Sequence, residues 1–161
     1  ENTYIGSYVP HNLVLMSDIH RLKYAMYLNN DAYQALKKMI DAMPEDIAND
    51  FYVKEAYTSF NDFQYSNASL AGKDERQLGR TVSIASKSIA YQEFETSALS
   101  QWLEANAHEY GFILRYPKRM ASSTNRAYDA HYYRYVGNKI ANKIYKENSC
   151  IEEYNQKEAA E

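Results

Sequence analysis

The sequence predicts a single α+β domain in which helices near the amino terminus pack on a small, mostly antiparallel sheet. Helical periodicity comes first in the chain, strand-like and helical segments then interleave, and the connections between them are short. The chain has 161 residues, which suffices for one hydrophobic core and is too few for two ordinary domains. We therefore expect residues 1–161 to form one domain.

The first half of the chain predicts one clear helix and two strands. Residues 31–43 place five apolar side chains on one helical face, Asn30 or Asp31 can cap the start, and Pro44 follows the end. Residues 51–58 are rich in aromatic and β-favouring side chains and predict a strand. Residues 60–70 favour a helix, and the alternation over 81–86 predicts a second strand.

The second half predicts two helices and two strands. Residues 95–110 form the clearest helical pattern, with Thr96 as a candidate cap and Gly111 suited to the left-handed position past the end. Residues 112–116 predict a strand stopped by Pro117. Residues 132–136 predict another strand, and residues 138–147 a short final helix.

Bulk properties exclude several classes of protein. The net charge of -3 gives no basis for nucleic-acid binding, and no apolar run of about 18 residues predicts a transmembrane helix. Cys150 is the single cysteine, so neither an internal disulfide nor a cysteine-based zinc site is predicted. The 17 tyrosines suit half-buried surfaces, either in a binding groove or at the edge of a core.

Two long ordered strings in the second half of the chain carry a family resemblance. Residues 102–117 read WLEANAHEYGFILRYP, and residues 128–137 read YDAHYYRYVG. They resemble the WL-x-x-NAH-x-YGFILRYP and Y-E-P-W-H-Y-R-Y-V-G segments of VanY-like D-alanyl-D-alanine carboxypeptidases of peptidoglycan. Shorter matches at residues 27–42, 56–60 and 152–154 extend the resemblance over most of the chain. The resemblance implies the family's α+β fold and an extracytoplasmic place at the cell envelope, with the chain excised from a longer exported protein.

VanY-like carboxypeptidases hold a catalytic zinc ion, and the resemblance implies that this chain has lost the residues that bind it. Where the family motif S-x-H-x-x-G-x-A-x-D supplies a histidine and an aspartate as ligands, this chain has Arg76 and Ser83. Where E-P-W-H supplies the general base and the third ligand, it has Asp129 and Tyr132. The substrate-facing arginine of G-Y-R-S-Y is replaced by Thr58.

The chemistry of these residue types argues against family-style zinc hydrolysis. Arginine has no lone pair to donate, serine is a weak neutral ligand, and tyrosine must ionise from a pKa of about 10 before it binds a metal well. We therefore expect no zinc, no other cofactor and no catalytic residue. The residues expected to bind a ligand in the former cleft are Arg76, Ser83, Asp129, His131 and Tyr132.

Two arrangements of these residues stay open. Arg76 either forms an ion pair with Asp129 in the vacated site or points to solvent. His131 is either a satisfied, half-buried side chain or part of a shifted metal site with Asp129 and His108.

The sequence thus favours a catalytically inactive domain that binds a peptidoglycan stem peptide or a cell-envelope protein in or near the cleft. The alternatives are an assembly module without a small ligand and a carboxypeptidase with a rearranged site.

Overall fold

The computed structural model describes residues 5–160, which form seven α-helices and six strands joined by short 3₁₀ turns. The strands are β1 (Leu13–Leu15), β2 (Tyr27–Asn29), β3 (Phe51–Glu55), β4 (Thr81–Ser86), β5 (Phe112–Tyr116) and β6 (Asp129–Tyr135). The helices are α1 (Asn30–Asp41), α2 (Glu45–Asp50), α3 (Phe60–Ser66), α4 (Ala98–Asn106), α5 (Ala121–Thr124), α6 (Asn138–Lys146) and α7 (Ile151–Glu158).

The sheet that carries the site has four strands in the order β3-β4-β6-β5, and every neighbouring pair is antiparallel. One face of this sheet packs on α1 and α4, which bury Leu36, Met39, Leu99 and Leu103 against the sheet core that includes Tyr133. On the other face, α6 and α7 pack against Ile113 of β5 in a smaller apolar cluster. The predicted fold class, an α+β domain with a mostly antiparallel sheet, is confirmed.

Local sequence explains where the elements begin. The side chain of Asn29 accepts hydrogen bonds from the main-chain N–H groups of residues 31 and 32, which fixes the start of α1 one residue before the predicted start. The predicted helix over 95–110 is interrupted, because Ser97 rather than Thr96 caps α4 and 3₁₀ turns flank it. Gly111 adopts φ +85° and ends this segment, as predicted.

Five elements have no counterpart in the sequence prediction, namely β1, β2, α2, α5 and α7. Strands β1 and β2 form a two-stranded antiparallel sheet of three residues each, which is too short to show a period. Helix α7 contains a single buried apolar residue, Ile151, so its sequence lacks an apolar stripe. No helix within residues 5–160 combines the length and the apolar character that a membrane span requires.

Candidate functional site

Three side chains form a row across neighbouring strands on the sheet face opposite the main core. Ser83 of β4 is the register partner of Tyr132 in β6 and also of Glu55 in β3. Directly opposed residues of an antiparallel sheet project on the same face, so Glu55, Ser83 and Tyr132 lie side by side. Ser83 is completely buried, whereas Tyr132 is half-buried.

A 3₁₀ turn over Glu75–Leu78 places Arg76 at this row. The carboxylate of Asp74 accepts a hydrogen bond from the main-chain N–H of Arg76 at 2.9 Å and so caps the turn. Gly79 ends it at φ +70°, and a Cβ added there would stand 2.9 Å from Leu13. Position 79 therefore favours glycine because of its left-handed backbone conformation, while the Leu13 side chain would have to shift to admit a Cβ.

The guanidinium of Arg76 is held by two carboxylates. Its Nε and Nη2 atoms donate to the two carboxylate oxygens of Asp74 at 2.8 and 2.9 Å, and Nη1 donates to Glu55 at 2.7 Å. The Tyr132 hydroxyl donates to the same oxygen of Glu55 at 2.5 Å, and the Arg76 Cζ lies 5.8 Å from the Tyr132 ring centroid. Because only 14% of the Arg76 side chain is exposed, the positive charge lies within the site.

These contacts fix the charge state of each group. Burial alone would raise the pKa of Asp74, but the hydrogen bonds and the positive charge of Arg76 outweigh burial and lower the pKa below its usual value. The carboxyl group therefore stays ionised well into acid. Burial acts to lower the pKa of Arg76, and the hydrogen bonds and charge of Asp74, together with Glu55, raise it overall. Burial and the hydrogen bond to Glu55 raise the pKa of Tyr132 far above its usual value.

A second ion cluster lies beside the first. Glu75 accepts hydrogen bonds from Arg115 at 2.8 Å and from Arg134 at 3.2 Å. Arg115 also donates to both carboxylate oxygens of Glu152 in α7, at 2.6 and 3.2 Å. Both arginines thus pair with carboxylates, and Arg115 links the sheet to the last helix.

Asp129 does not join Arg76, so the first of the two arrangements left open for Arg76 does not form. The Asp129 carboxylate instead accepts a hydrogen bond from the main-chain N–H of His131 at 2.9 Å. Arg76 does not point to solvent either, because its guanidinium forms ion pairs with Asp74 of the preceding loop and Glu55 of β3. Thr58 lies next to the turn, with its main-chain N–H donating to the Arg76 carbonyl at 3.4 Å and its hydroxyl to the Ala56 carbonyl.

His131 does not line the cleft, so its assignment as a ligand-binding residue is wrong. It alternates with Tyr132 along β6 and points into the other face of the sheet, where it is buried. Its Nδ1 and Nε2 atoms lie 2.7 and 2.9 Å from the carbonyl oxygens of Ile84 and Tyr91. The rings of Tyr91 and Phe94 stack on it with centroids 3.7 and 4.4 Å away. Both nitrogens therefore face carbonyl oxygens of the protein, and neither is open to a ligand in the cleft.

The side chains at the site do not fit a zinc ion. Arg76 is a cation already bonded to carboxylates, the Tyr132 phenol is kept protonated, and the Ser83 hydroxyl is neutral. No group of three or more histidine, cysteine, aspartate or glutamate side chains among residues 5–160 is placed to hold a metal. The shifted set of His131, Asp129 and His108 is therefore not assembled, while the absence of zinc from the protein stays a prediction.

Sequence reasoning missed Glu55, Asp74 and Glu75, the carboxylates that partner the arginines. Asp74 occupies a capping position before the turn, and its spacing of two residues from Arg76 was the available signal. Glu55 and Glu75 meet their partners only through strand pairing and tertiary contact across 21 and 40 residues of sequence. No local pattern marks such pairs.

The chain belongs to the VanY family. The family model described as D-alanyl-D-alanine carboxypeptidase matches residues 52–138, which is more than half of the chain and includes every position of the site. A D-alanyl-D-alanine carboxypeptidase of Enterococcus faecalis is 34% identical over 124 residues, covering 76% of this chain and 44% of the relative. YodJ of Bacillus subtilis is 29% identical over 173 residues, covering 94% of this chain and 63% of that protein.

Solved structures agree with this assignment. The LdcB LD-carboxypeptidase, whose structure concerns peptidoglycan recognition, has a TM-score of 0.78 at 26% identity, covering 95% of this chain and 84% of that chain. VanYB in complex with D-alanine-D-alanine has a TM-score of 0.69 at 25% identity, with 86% and 88% covered. The chain spans 44% to 63% of the length of the curated relatives named here.

Proposed function

We propose that this domain is a non-hydrolytic VanY-family module of the bacterial cell envelope that binds a peptidoglycan stem peptide at the site of Arg76, Ser83 and Tyr132. The observation that carries the proposal is the clamped guanidinium of Arg76. A fixed cation, held by Asp74 and Glu55, stands where the sequence pattern of the family supplies the first zinc ligand. The family relationship and the neighbours that recognise peptidoglycan or hold D-alanine-D-alanine support the choice of ligand.

The site retains hydrogen-bonding capacity for such a ligand. A guanidinium carries five N–H groups, and the contacts with Asp74 and Glu55 use three of them. The remaining two suit a carboxylate or a peptide carbonyl, which are the acceptors that a stem peptide offers. The half-buried ring of Tyr132 supplies an apolar surface beside them.

Metal content, hydrolysis and binding together test the proposal. We expect elemental analysis of the purified protein to find far less than one zinc per chain, and we expect no release of D-alanine from a pentapeptide stem ending in D-Ala-D-Ala. Titration of ¹⁵N-labelled protein with the same peptide should shift the amide signals around Arg76 and Tyr132. One zinc per chain with hydrolysis that a chelator abolishes contradicts the non-hydrolytic part, and unchanged spectra at millimolar peptide contradict the binding part.

A rebuilt site tests the residue assignment independently. The variant carrying Arg76→His, Ser83→Asp and Tyr132→His restores the three ligand types that the family pattern implies. If the assignment of these positions is correct, the triple variant should bind about one zinc per chain, while the matched variant His11→Ala should not. A folded triple variant without zinc affinity contradicts the alignment of Arg76 and Ser83.

A further inference from the structure

A groove runs along the outer edge of β5, away from the site of Arg76. Its volume is about 540 Å³, within the range of small-ligand and peptide sites. One wall comes from Leu103 and Ala107 at the end of α4, and the other from Ile144 and the residues that follow α6. The groove ends near Pro117 and Lys118, just beyond β5.

The lining shows that this groove follows the strand edge and not a strand face. Phe112, Ile113 and Leu114 are consecutive in β5, and all three line it. Consecutive side chains of a strand project on opposite faces, so one cavity touches all three only if it runs along the main chain. The strand order β3-β4-β6-β5 leaves that side of β5 without a neighbouring strand in the part of the chain that the structure describes.

The alternation of hydrogen-bonded positions between β5 and β6 turns the main-chain N–H and C=O of Leu114 toward this groove. Val136 N–H donates to the Gly111 carbonyl, which makes Gly111 and Ile113 the residues of this segment that bond to β6. In an antiparallel pair the bonded positions alternate, so the N–H and C=O of Leu114 point away from β6. Outside the pairing of the strands, no main-chain hydrogen bond to either group is formed within residues 5–160.

Other parts of the sheet margin already have neighbours. At the far edge of the sheet, Val53 of β3 forms a parallel bridge with Arg21. Near the start of β5, His108 and Tyr145 stack with ring centroids 3.5 Å apart, and Phe112 is fully buried. The open stretch therefore begins at Leu114, between two walls that would hold an added chain in line with the strand.

We infer that this groove binds an extended peptide segment of another protein, which adds to the sheet as a strand beside β5. The main-chain N–H and C=O of Leu114 are the donor and the acceptor that an added strand requires. A purely apolar ligand would leave both groups without a hydrogen bond. Leu103, Ala107 and Ile144 supply a pocket for one apolar side chain of that segment.

Charge favours an acidic residue in the part of the segment that passes Lys146. The ammonium of Lys146 lies at the rim and has no ion pair among the described residues, whereas Lys118 is paired with Glu95. The carboxylate of Glu104 also lines the groove, where it accepts a hydrogen bond from the Tyr128 hydroxyl, so an acidic residue is favoured only beside Lys146. Two polar atoms of the lining, the Tyr133 hydroxyl and His108 Nδ1, are buried without hydrogen-bond partners among the described residues. Burial lowers the pKa of His108, so the added positive charge at this rim comes from the lysine.

Hydrogen exchange in the free protein tests the exposed edge. The Leu114 amide should exchange at least about tenfold faster than the Ile113 amide, because only the second is bonded to β6. Equal protection of the two amides overturns the proposal, since the edge would then be occupied already.

A matched pair of peptides tests the pairing. The probe is the blocked hexapeptide acetyl-Glu-Val-Thr-Val-Thr-Val-amide, and its control carries an N-methyl group on the central valine. We expect the probe to shift and protect the Leu114 amide, and we expect the control to bind about tenfold more weakly because it lacks one main-chain donor. Equal binding of both peptides, or shifts confined to Arg76 and Tyr132, overturns the proposal.

Two variants confirm the location. Leu114→Pro removes the outward N–H without removing a bond to β6, and should abolish binding. If that variant fails to fold, Lys146→Glu tests the same location, because it should lower the affinity for the acidic probe several-fold. Lys139→Glu, on the exposed start of α6, should leave that affinity unchanged. Concentration-dependent dimerisation that protects Leu114 and is lost in Leu114→Pro overturns the assignment to a foreign peptide and assigns the edge to a second copy of the chain.

Discussion

Replacing Arg76 by methionine should destabilise the domain strongly, because it leaves the Asp74 carboxylate without its cation. The Asp74 side chain is only 10% exposed and accepts two hydrogen bonds from the guanidinium. Removing one partner of a buried ion pair costs about 3–5 kcal/mol. The Glu55 carboxylate is 37% exposed, and its share is about 0–1 kcal/mol because solvent screens it. Asp74 retains its bond to the main-chain N–H of residue 76, so we expect a total loss of about 3 kcal/mol.

Urea unfolding followed by circular dichroism measures this loss. For a slope of about 2 kcal/mol per molar urea, the midpoint should fall by roughly 1.5 M. Arg80→Met serves as the matched control, because the Arg80 side chain makes no ion pair or hydrogen bond among the described residues, and its midpoint should stay within a few tenths of a molar.

The double variant Asp74→Asn with Arg76→Met separates the ion pair from simple packing. Asparagine still caps the turn but carries no charge, so the double variant should recover about 1–2 kcal/mol relative to Arg76→Met alone. A loss below about 1 kcal/mol in Arg76→Met, or a double variant less stable than the single one, would refute the reasoning that an unpaired carboxylate dominates the cost.

Three further predictions concern pH, the core histidine and the cysteine. Because the pKa of Asp74 is lower in the folded than in the unfolded state, ionised Asp74 stabilises the fold at pH values above its unfolded pKa of about 4, and this stabilisation is lost as the pH falls through the folded pKa. The free energy of unfolding should therefore fall less steeply with acid in Asp74→Asn, and an unchanged acid profile would contradict this. His131→Phe keeps the stacking on Tyr91 and Phe94 but removes the imidazole N–H that donates to a buried carbonyl oxygen of Ile84 or Tyr91, and should cost about 1–3 kcal/mol in urea unfolding, in contrast to a near-zero effect for the exposed His20→Phe. Burial raises the pKa of the Cys150 thiol and only 1% of the residue is exposed, so iodoacetamide at pH 8 should label it far more slowly in the native protein than in urea; comparable rates would show that α7 opens readily.

The sequence predicted the regular part of the fold because that part carries a local period. Strand β4 begins and ends where the alternation over residues 81–86 does, and α6 differs from its prediction by one residue. Strand β3 ends three residues early, at Glu55, where a register shift interrupts its pairing with β4. Such irregularities depend on the neighbouring strand, so the residues of β3 alone do not encode them.

The site was predictable in its positions but not in its contacts. The matched motifs brought Arg76, Ser83 and Tyr132 to one face of the sheet, as the alignment to the family implied. The two arrangements considered for Arg76, an ion pair with Asp129 or exposure to solvent, both fail, because an ion pair depends on distances between side chains that sequence spacing does not give. His131 was misplaced for a simpler reason, since the alternation along β6 that puts Tyr132 in the cleft turns its neighbour to the other face.

The clamped guanidinium of Arg76 makes the central charge of the cleft a covalent part of the chain. A bound metal ion can be removed by a chelator, lost when the metal is scarce or replaced by another metal. The guanidinium of Arg76 is part of the polypeptide, so every copy of the domain carries it. Its pKa lies above its already high ordinary value, so it keeps its charge at every pH at which the fold persists. A module built in this way keeps the same electrostatic character in zinc-rich and zinc-starved surroundings.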